Sequence, residues 1–224
     1  MNKHPVVVIT GATGATGEAA ARAFAAQGAS LALLSHDQQK LEALAASLSL
    51  ASSRLLIHAA DLRNPDEVRA AARFVTTRFG RADILLHLVG GWTGGKTLPE
   101  TPADDLETML NQHAWTTFHL LQAFTPGMAA NGWGRVIVVS SPLAISPSTK
   151  MSAYAAGKAA QETLILTLAQ ELKDSGVTAN IIHVRSIDVE GKGKGTPPGE
   201  IVAAMQYLCS EPAAKINGAR IPLY

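Results

Sequence analysis

The chain has 224 residues, of which 47% are apolar, with 19 basic and 18 acidic side chains and a formal net charge of +1. That length suits one large α/β domain, and charges of both signs spread along the chain leave no basic stripe that argues for nucleic acid. A lone cysteine, Cys209, excludes an internal disulfide and fits a reducing compartment, and no run approaches the roughly 18 apolar residues of a membrane span, so the chain reads as soluble and cytoplasmic.

Residues Met1-Asn2-Lys3-His4-Pro5 lead directly into a first strand, Val6–Thr10, with no apolar stretch of signal-peptide length. Gly11, Thr13, Gly14, Ala15, Thr16 and Gly17 follow, opening a helix over about Thr16–Gln27. An ordinary turn here needs one glycine. Three, between a strand and a helix, let a pyrophosphate approach the helix N-terminus, where unpaired N–H groups and the dipole favour anions. The second strand, Ser30–Leu34, ends in Ser35, His36 and Asp37, and Asp37 suits the cap of a helix over Asp37–Leu48. A third strand, Leu55–Ala59, runs into Ala60-Asp61-Leu62 and a helix over Pro65–Phe79. The fourth, Ile84–Val89, closes on His87-Leu88-Val89-Gly90-Gly91-Trp92.

A long helix is expected over Pro102–Ala129, then a strand, Val136–Ser140, ending at Ser141. The helix Met151–Asp174 carries Tyr154 and Lys158. A sixth strand, Thr178–Val184, leads to Arg185-Ser186-Ile187-Asp188 and the polar stretch Gly191-Lys192-Gly193-Lys194-Gly195. A helix over Pro198–Leu208 and a short strand near Ala219–Leu223 complete the chain. Short apolar strands alternating with helices mean repeated βαβ units. The expected fold is α/β: one domain over residues 1–224, a Rossmann-type doubly wound parallel sheet of about seven strands with helices on both faces.

Tyr154 and Lys158 stand four residues apart, so a helix presents both on one face. A phenol ionises near about 10 and is a poor acid–base group at neutral pH. A cation about 5 Å away, at an effective dielectric of about 20, favours the phenolate by roughly 3 kcal/mol. Ser141, at a strand end, would hold a carbonyl oxygen beside the phenol.

These features together resemble the short-chain dehydrogenase/reductase family over nearly the whole chain. The resemblance implies an NAD(P)-dependent oxidoreductase that moves a hydride between a nicotinamide cofactor and a carbonyl or alcohol substrate. It makes Tyr154 the general acid/base, Lys158 its helper and a ribose ligand, Ser141 the substrate-orienting hydroxyl, and Asp61, with Leu62, the adenine contact. The family's fourth catalytic residue, a relay asparagine, falls at His113, with Asn111 two residues earlier and about 200° away around a helix. The carboxylate that NAD enzymes place at Ser35 is missing, and Ser35 with His36 tolerates a 2′-phosphate, which favours NADP over NAD. No metal site is expected. The family pairs its long helices into homodimers or homotetramers, and Ala155, Ala156, Ala159 and Ala160 would permit close approach.

The chain departs from the family at several points. The glycine spacing matches the extended and atypical subfamilies, but no room remains for the further substrate domain of an epimerase or dehydratase. The fourth strand lacks the usual paired asparagines, although Gly90 keeps the close approach to the cofactor ribose, Leu88 and Val89 can still pack the adenosine side, and Gly91 is a further candidate cofactor contact. His87 is either a buried hydrogen-bonded histidine or a cofactor neighbour. Val184-Arg185 replaces the usual Pro-Gly, and the backbone near Ile187 would still face the carboxamide. Arg185 either binds a substrate carboxylate or cofactor phosphate, or points to solvent. Trp92 is a substrate wall or surface packing. Residues 189–195 stand where some twenty lid residues are usual, so the pocket should be open. An alternative follows: an NADP(H)-binding protein with little catalysis, serving as a redox sensor or assembly subunit.

Overall fold

The computed structural model describes residues 4–224; the first three residues of the short lead-in lie outside the described residues. Seven parallel strands form one sheet in the order β3-β2-β1-β4-β5-β6-β7. They are β1 (Val6–Thr10), β2 (Ser30–Ser35), β3 (Leu55–Ala59), β4 (Ile84–His87), β5 (Gly134–Ser140), β6 (Val177–His183) and β7 (Arg220–Pro222). The helices are α1 (Ala15–Ala26), α2 (Gln38–Ser47), α3 (Pro65–Phe79), α4 (Ala103–Leu110), α5 (Thr116–Ala130), α6 (Ser152–Glu171) and α7 (Pro198–Cys209).

The strands β1–β6 feed two cores, because successive side chains point to opposite faces. Val6, Val8, Ala32 and Leu34 face one core with Val68 and Val75 of α3, Leu120 and Phe124 of α5, and Ile165 of α6. Val7, Ile9, Leu31 and Leu33 face the other, with Phe24 of α1, Leu41 of α2 and Ile201 and Met205 of α7. Double-sided burial is why these strands read as unbroken apolar runs. Cys209 is buried among them.

Local chemistry sets the helix ends. The Asp37 side chain accepts from Lys40 N at 3.1 Å, the capping role its position suggested. Asn64 caps α3 from Asp66 N, Pro65 occupies the first turn, and Gly80 closes the helix in the left-handed region at φ 78°.

The expected helix Pro102–Ala129 is interrupted. Between α4 and α5, residues Asn111–Trp115 form a single wide π turn. Apolar periodicity does not distinguish one wide turn from a continued α-helix, so the sequence reads as one element. The turn's consequence is local: it places His113 inside the molecule, fully buried, beside the site.

The strand order reverses on either side of β1. In doubly wound sheets ligands bind in the crevice that this reversal opens at the carboxyl ends of the strands. Among the described residues no helix is long and apolar enough to cross a membrane.

Candidate functional site

Two cavities open at the carboxyl edge of the sheet, and both are lined by Leu88, Val89 and Gly90, so they form one continuous cleft. The first, about 540 Å³, is lined by Gly11, Thr13, Gly14, Ser35, His36, Asp61, Leu62 and Arg63 among others. The second, about 460 Å³, is lined by Thr16, Gly91, Trp92, His113, Tyr154, Lys158, Arg185 and Ile187 among others.

The glycine loop fits an anionic cofactor. Gly14 sits at the N-cap of α1 with no side-chain cap, and the buried hydroxyl of Thr16 has no partner among the described residues. The first turn of α1 therefore offers unspent donors to the cleft. Gly17 has a different role: a Cβ there would lie 2.3 Å from Gly11 O, so its glycine serves close packing rather than contact with the cleft. Ala15 and Gly17 line neither cavity. At the far end, the Thr13 and Ser35 hydroxyls are hydrogen-bonded at 2.8 Å. Arg63, which the sequence reading missed, reaches the same cavity and grips Asp61, Nη2 to Oδ2 at 2.7 Å. The Arg63 guanidinium holds the Asp61 carboxyl below the usual range. Only the adjacency of β2 and β3 brings Arg63 towards Ser35 and His36.

The second cavity gathers the titratable groups. Lys158 is buried, and its ammonium donates to Val139 O at 2.8 Å and to Gln161 Oε1 at 2.9 Å. Gln161 Nε2 donates in turn to Thr117 Oγ1 at 3.0 Å, and Thr117 Oγ1 to His113 O at 2.6 Å, which ties the lysine to the π turn. Burial pulls the Lys158 pKa down to about 7, against the opposing pull of Glu162 one helical turn on. Tyr154 differs from the sequence expectation. Burial raises its phenol, the nearby Ser141 hydroxyl pulls it the other way, and the Lys158 ammonium turns to Val139 and Gln161 instead. Ser141 is buried at the end of β5, where its oxygen also accepts from Leu143 N at 3.3 Å.

His113 stands edge-on to the Tyr154 ring, with centroids 5.6 Å apart. Its Nε2–H donates to Gly91 O at 3.1 Å, leaving a lone pair on buried Nδ1 with no donor among the described residues. Burial, then the charge of Lys158, lowers its pKa to about 3, so the ring is neutral. Asn111 lines neither cavity. A Cβ at Gly91 would meet Gln112 Oε1 at 2.0 Å, so the flexible Gln112 amide would have to move aside.

His87 is the buried, hydrogen-bonded histidine of the two sequence alternatives. Thr116 Oγ1 donates to Gln112 O at 2.7 Å and so accepts from His87 Nε2, while Thr10 Oγ1 meets Nδ1 at 2.7 Å. Burial lowers its pKa to about 3.

Beneath the cavity the Glu162 carboxylate collects three donors at 2.6 Å each: Ser140 Oγ and His183 Nε2 on Oε1, and Arg220 Nε on Oε2. Burial pushes this carboxyl up, but the bonds from His183, Ser140 and Arg220 together hold it below the usual range. The network joins the ends of β5, β6 and β7 to α6.

At the mouth, residues 189–195 do not hang loose. The Asp188 carboxylate accepts from Lys192 N at 3.0 Å and from Gly193 N at 2.7 Å, and Ile187 bridges to Thr196. Trp92 lines the cavity but is 61% exposed, so the site is open on that side.

The family profile described as short chain dehydrogenase matches residues 5–196. The chain belongs to the short-chain dehydrogenase/reductase family. It is 33% identical over 247 aligned positions to a D-beta-hydroxybutyrate dehydrogenase of Rhizobium meliloti (strain 1021), covering 96% of this chain and 95% of that protein. It is 27% identical over 229 positions to a 7alpha-hydroxysteroid dehydrogenase of Escherichia coli (strain K12), covering 94% and 89%. The solved structure of a short chain dehydrogenase from Bacillus anthracis superposes with a TM-score of 0.89 at 26% identity, covering 99% of this chain and 95% of that one. Members of this family are oxidoreductases that bind a nicotinamide cofactor and act on small molecules, and this chain is one of them.

Proposed function

We propose that the protein interconverts a carbonyl compound and an alcohol with NADP(H) in preference to NAD(H), using Tyr154 as general acid/base. The observation that carries this reading is the convergence of Tyr154, Lys158 and His113 on one cavity, with Ser141 beside the phenol, continuous with the glycine-loop cavity. When bound, the nicotinamide supplies or accepts the hydride. The glycine loop and the open first turn of α1 hold the pyrophosphate. Ser141 Oγ hydrogen-bonds the substrate oxygen and fixes it beside the Tyr154 hydroxyl. Burial keeps Tyr154 protonated at neutral pH, ready to donate to the oxygen as it gains charge. Lys158 binds the nicotinamide ribose. An anionic cofactor nearby favours its charged form, and a charged Lys158 then eases the phenol's loss of its proton. The Nδ1 lone pair of His113 orients a relay water behind the tyrosine.

The preference for NADP(H) is supported by Ser35, His36 and Arg63 sharing one cavity, with no carboxylate at the end of β2. Ile187 lines the nicotinamide side. The exposed Trp115 and Phe118, stacked edge to face at 5.9 Å, support a homodimer or homotetramer through α4 and α5. Ala155 is buried inward and Ala156 faces out, so the alanine face expected of α6 is narrower than the sequence suggested. We place the enzyme in the cytoplasm, consistent with the unpaired Cys209.

The test is turnover of a carbonyl panel with NADPH and NADH, in wild type and Tyr154→Phe. Loss of the general acid should cost about 10²–10⁴-fold in kcat. Tight NADPH binding without turnover on any substrate would instead establish the binding-only alternative.

A further inference from the structure

The lining of the second cavity is one-sided in charge. It includes two cations, Lys158 and Arg185, and no carboxylate. Its histidine is neutral, because burial holds His113 at about 3. The two cations differ in what they already satisfy. Lys158 spends two of its three donors on Val139 O and Gln161 Oε1, deep in the wall. Arg185 is exposed at the mouth, and no carboxylate lies within 4 Å of its guanidinium among the described residues. The guanidinium instead stacks on the Tyr224 ring, 4.8 Å from the centroid. Stacking uses its face and leaves its edge, where the N–H fork lies, free to take a planar anion in two parallel bonds.

The backbone below this side chain is held on three sides. Val184 N donates to Ser140 O at 3.0 Å, Leu223 N to His183 O at 2.9 Å, and Thr196 Oγ1 to Leu223 O at 2.5 Å. His183, two residues before Arg185, is locked to Glu162. The positive fork therefore stands on a rigid base, beside the cavity that contains Tyr154. The loop that follows adds Lys194, which has no carboxylate within 4 Å among the described residues, while Lys192 is neutralised by Glu190.

We propose that Arg185 is a specificity residue which binds the carboxylate of the substrate, so that the enzyme's substrates are small keto acids and their hydroxy-acid counterparts. This rests on the oxidoreductase reading above. It adds that the substrate is held at two points, its reacting oxygen between Ser141 and Tyr154 and its carboxylate at Arg185. An open mouth that lacks apolar covering can still hold such a substrate, because charge and geometry replace enclosure.

The test uses acetoacetate and its uncharged methyl ester as probes, with wild type, Arg185→Gln and, as a control for general positive field, Lys194→Gln. Arg185→Gln should lower kcat/KM for acetoacetate about tenfold or more beyond its effect on the ester, mainly through KM, the scale of one lost charge-assisted contact. An equal loss on acid and ester overturns the proposal, as does an equal effect of Lys194→Gln. Binding of acetoacetate to the NADP⁺-loaded protein, read by tryptophan fluorescence, needs no turnover. There Arg185→Gln should weaken acetoacetate about tenfold and leave NADP⁺ affinity far less affected. A matching loss of NADP⁺ affinity assigns the guanidinium to the cofactor phosphates and overturns the proposal. Acetoacetate binding that depends on Arg185, with no turnover of it or of the carbonyl panel, sustains the anion site and overturns the reductase reading alone.

Discussion

The two cavities of the cleft handle charge in opposite ways. In the adenosine-side cavity Asp61 and Arg63 are paired in the open, with 42% and 63% of their side chains exposed, and each holds the other in its charged form. In the second cavity Lys158 and His113 are buried, and each is driven towards its neutral form. Binding a phosphate needs charges that are ready and hydrated, whereas proton transfer needs groups whose ionisation can be moved across neutral pH. The difference comes from depth, since the same residue types lie at the end of one sheet.

The largest effect that would sharpen this contrast is on stability. Glu162→Leu strips two buried donors, Ser140 and His183, and the more exposed Arg220 of their acceptor, and removing one partner of a buried ion pair costs about 3–5 kcal/mol. Asp61→Asn should cost less than about 1 kcal/mol, as exposed pairs do. Urea denaturation of both variants measures the gap, and equal losses would break the comparison.

A smaller effect is the pH dependence of Lys158. Its folded pKa of about 7 lies below the unfolded value of 10.5, so between them the unfolded chain binds more protons and stability rises with pH. The window is clean from about pH 7 to 8.5, since above it the thiol of Cys209, pushed up to about 12, gives an opposite slope. One proton corresponds to about 1.4 kcal/mol per pH unit at most, and Lys158→Met should remove the slope. Binding of NADP⁺ should raise the Lys158 pKa and draw in a proton at pH 8. Calorimetry in buffers of different ionisation enthalpy measures that uptake, and release of a proton would contradict it.

The smallest effect concerns cofactor choice. Ser35→Asp places a carboxylate where a 2′-phosphate would lie, and it should raise the KM for NADPH at least about tenfold relative to NADH. No change in the ratio would place the phosphate elsewhere in the adenosine-side cavity.

The strands and the glycine loop were legible because burial on both faces of a parallel sheet leaves unbroken apolar runs such as Val136–Val139. The pairing of Tyr154 with Lys158 was legible because helical spacing is short-range. What that pairing does to the phenol was not. The ammonium's preference for Val139 O depends on how α6 packs on β5, a contact separated by 19 residues. Arg63 was invisible for a similar reason, since its link to Ser35 exists only once β2 and β3 lie side by side. The π turn left no mark in hydropathy.

The stapled loop at the mouth has a use beyond this enzyme. Ile187 and Thr196 already bridge, so they form a fixed pair of anchors from which the chain leaves the body and to which it returns. Closure entropy grows only with the logarithm of length, so grafting some twenty further residues between them would cost about 1 kcal/mol. The fold thus presents an insertion port, where a cover can be added or exchanged without touching the sheet that carries the chemistry.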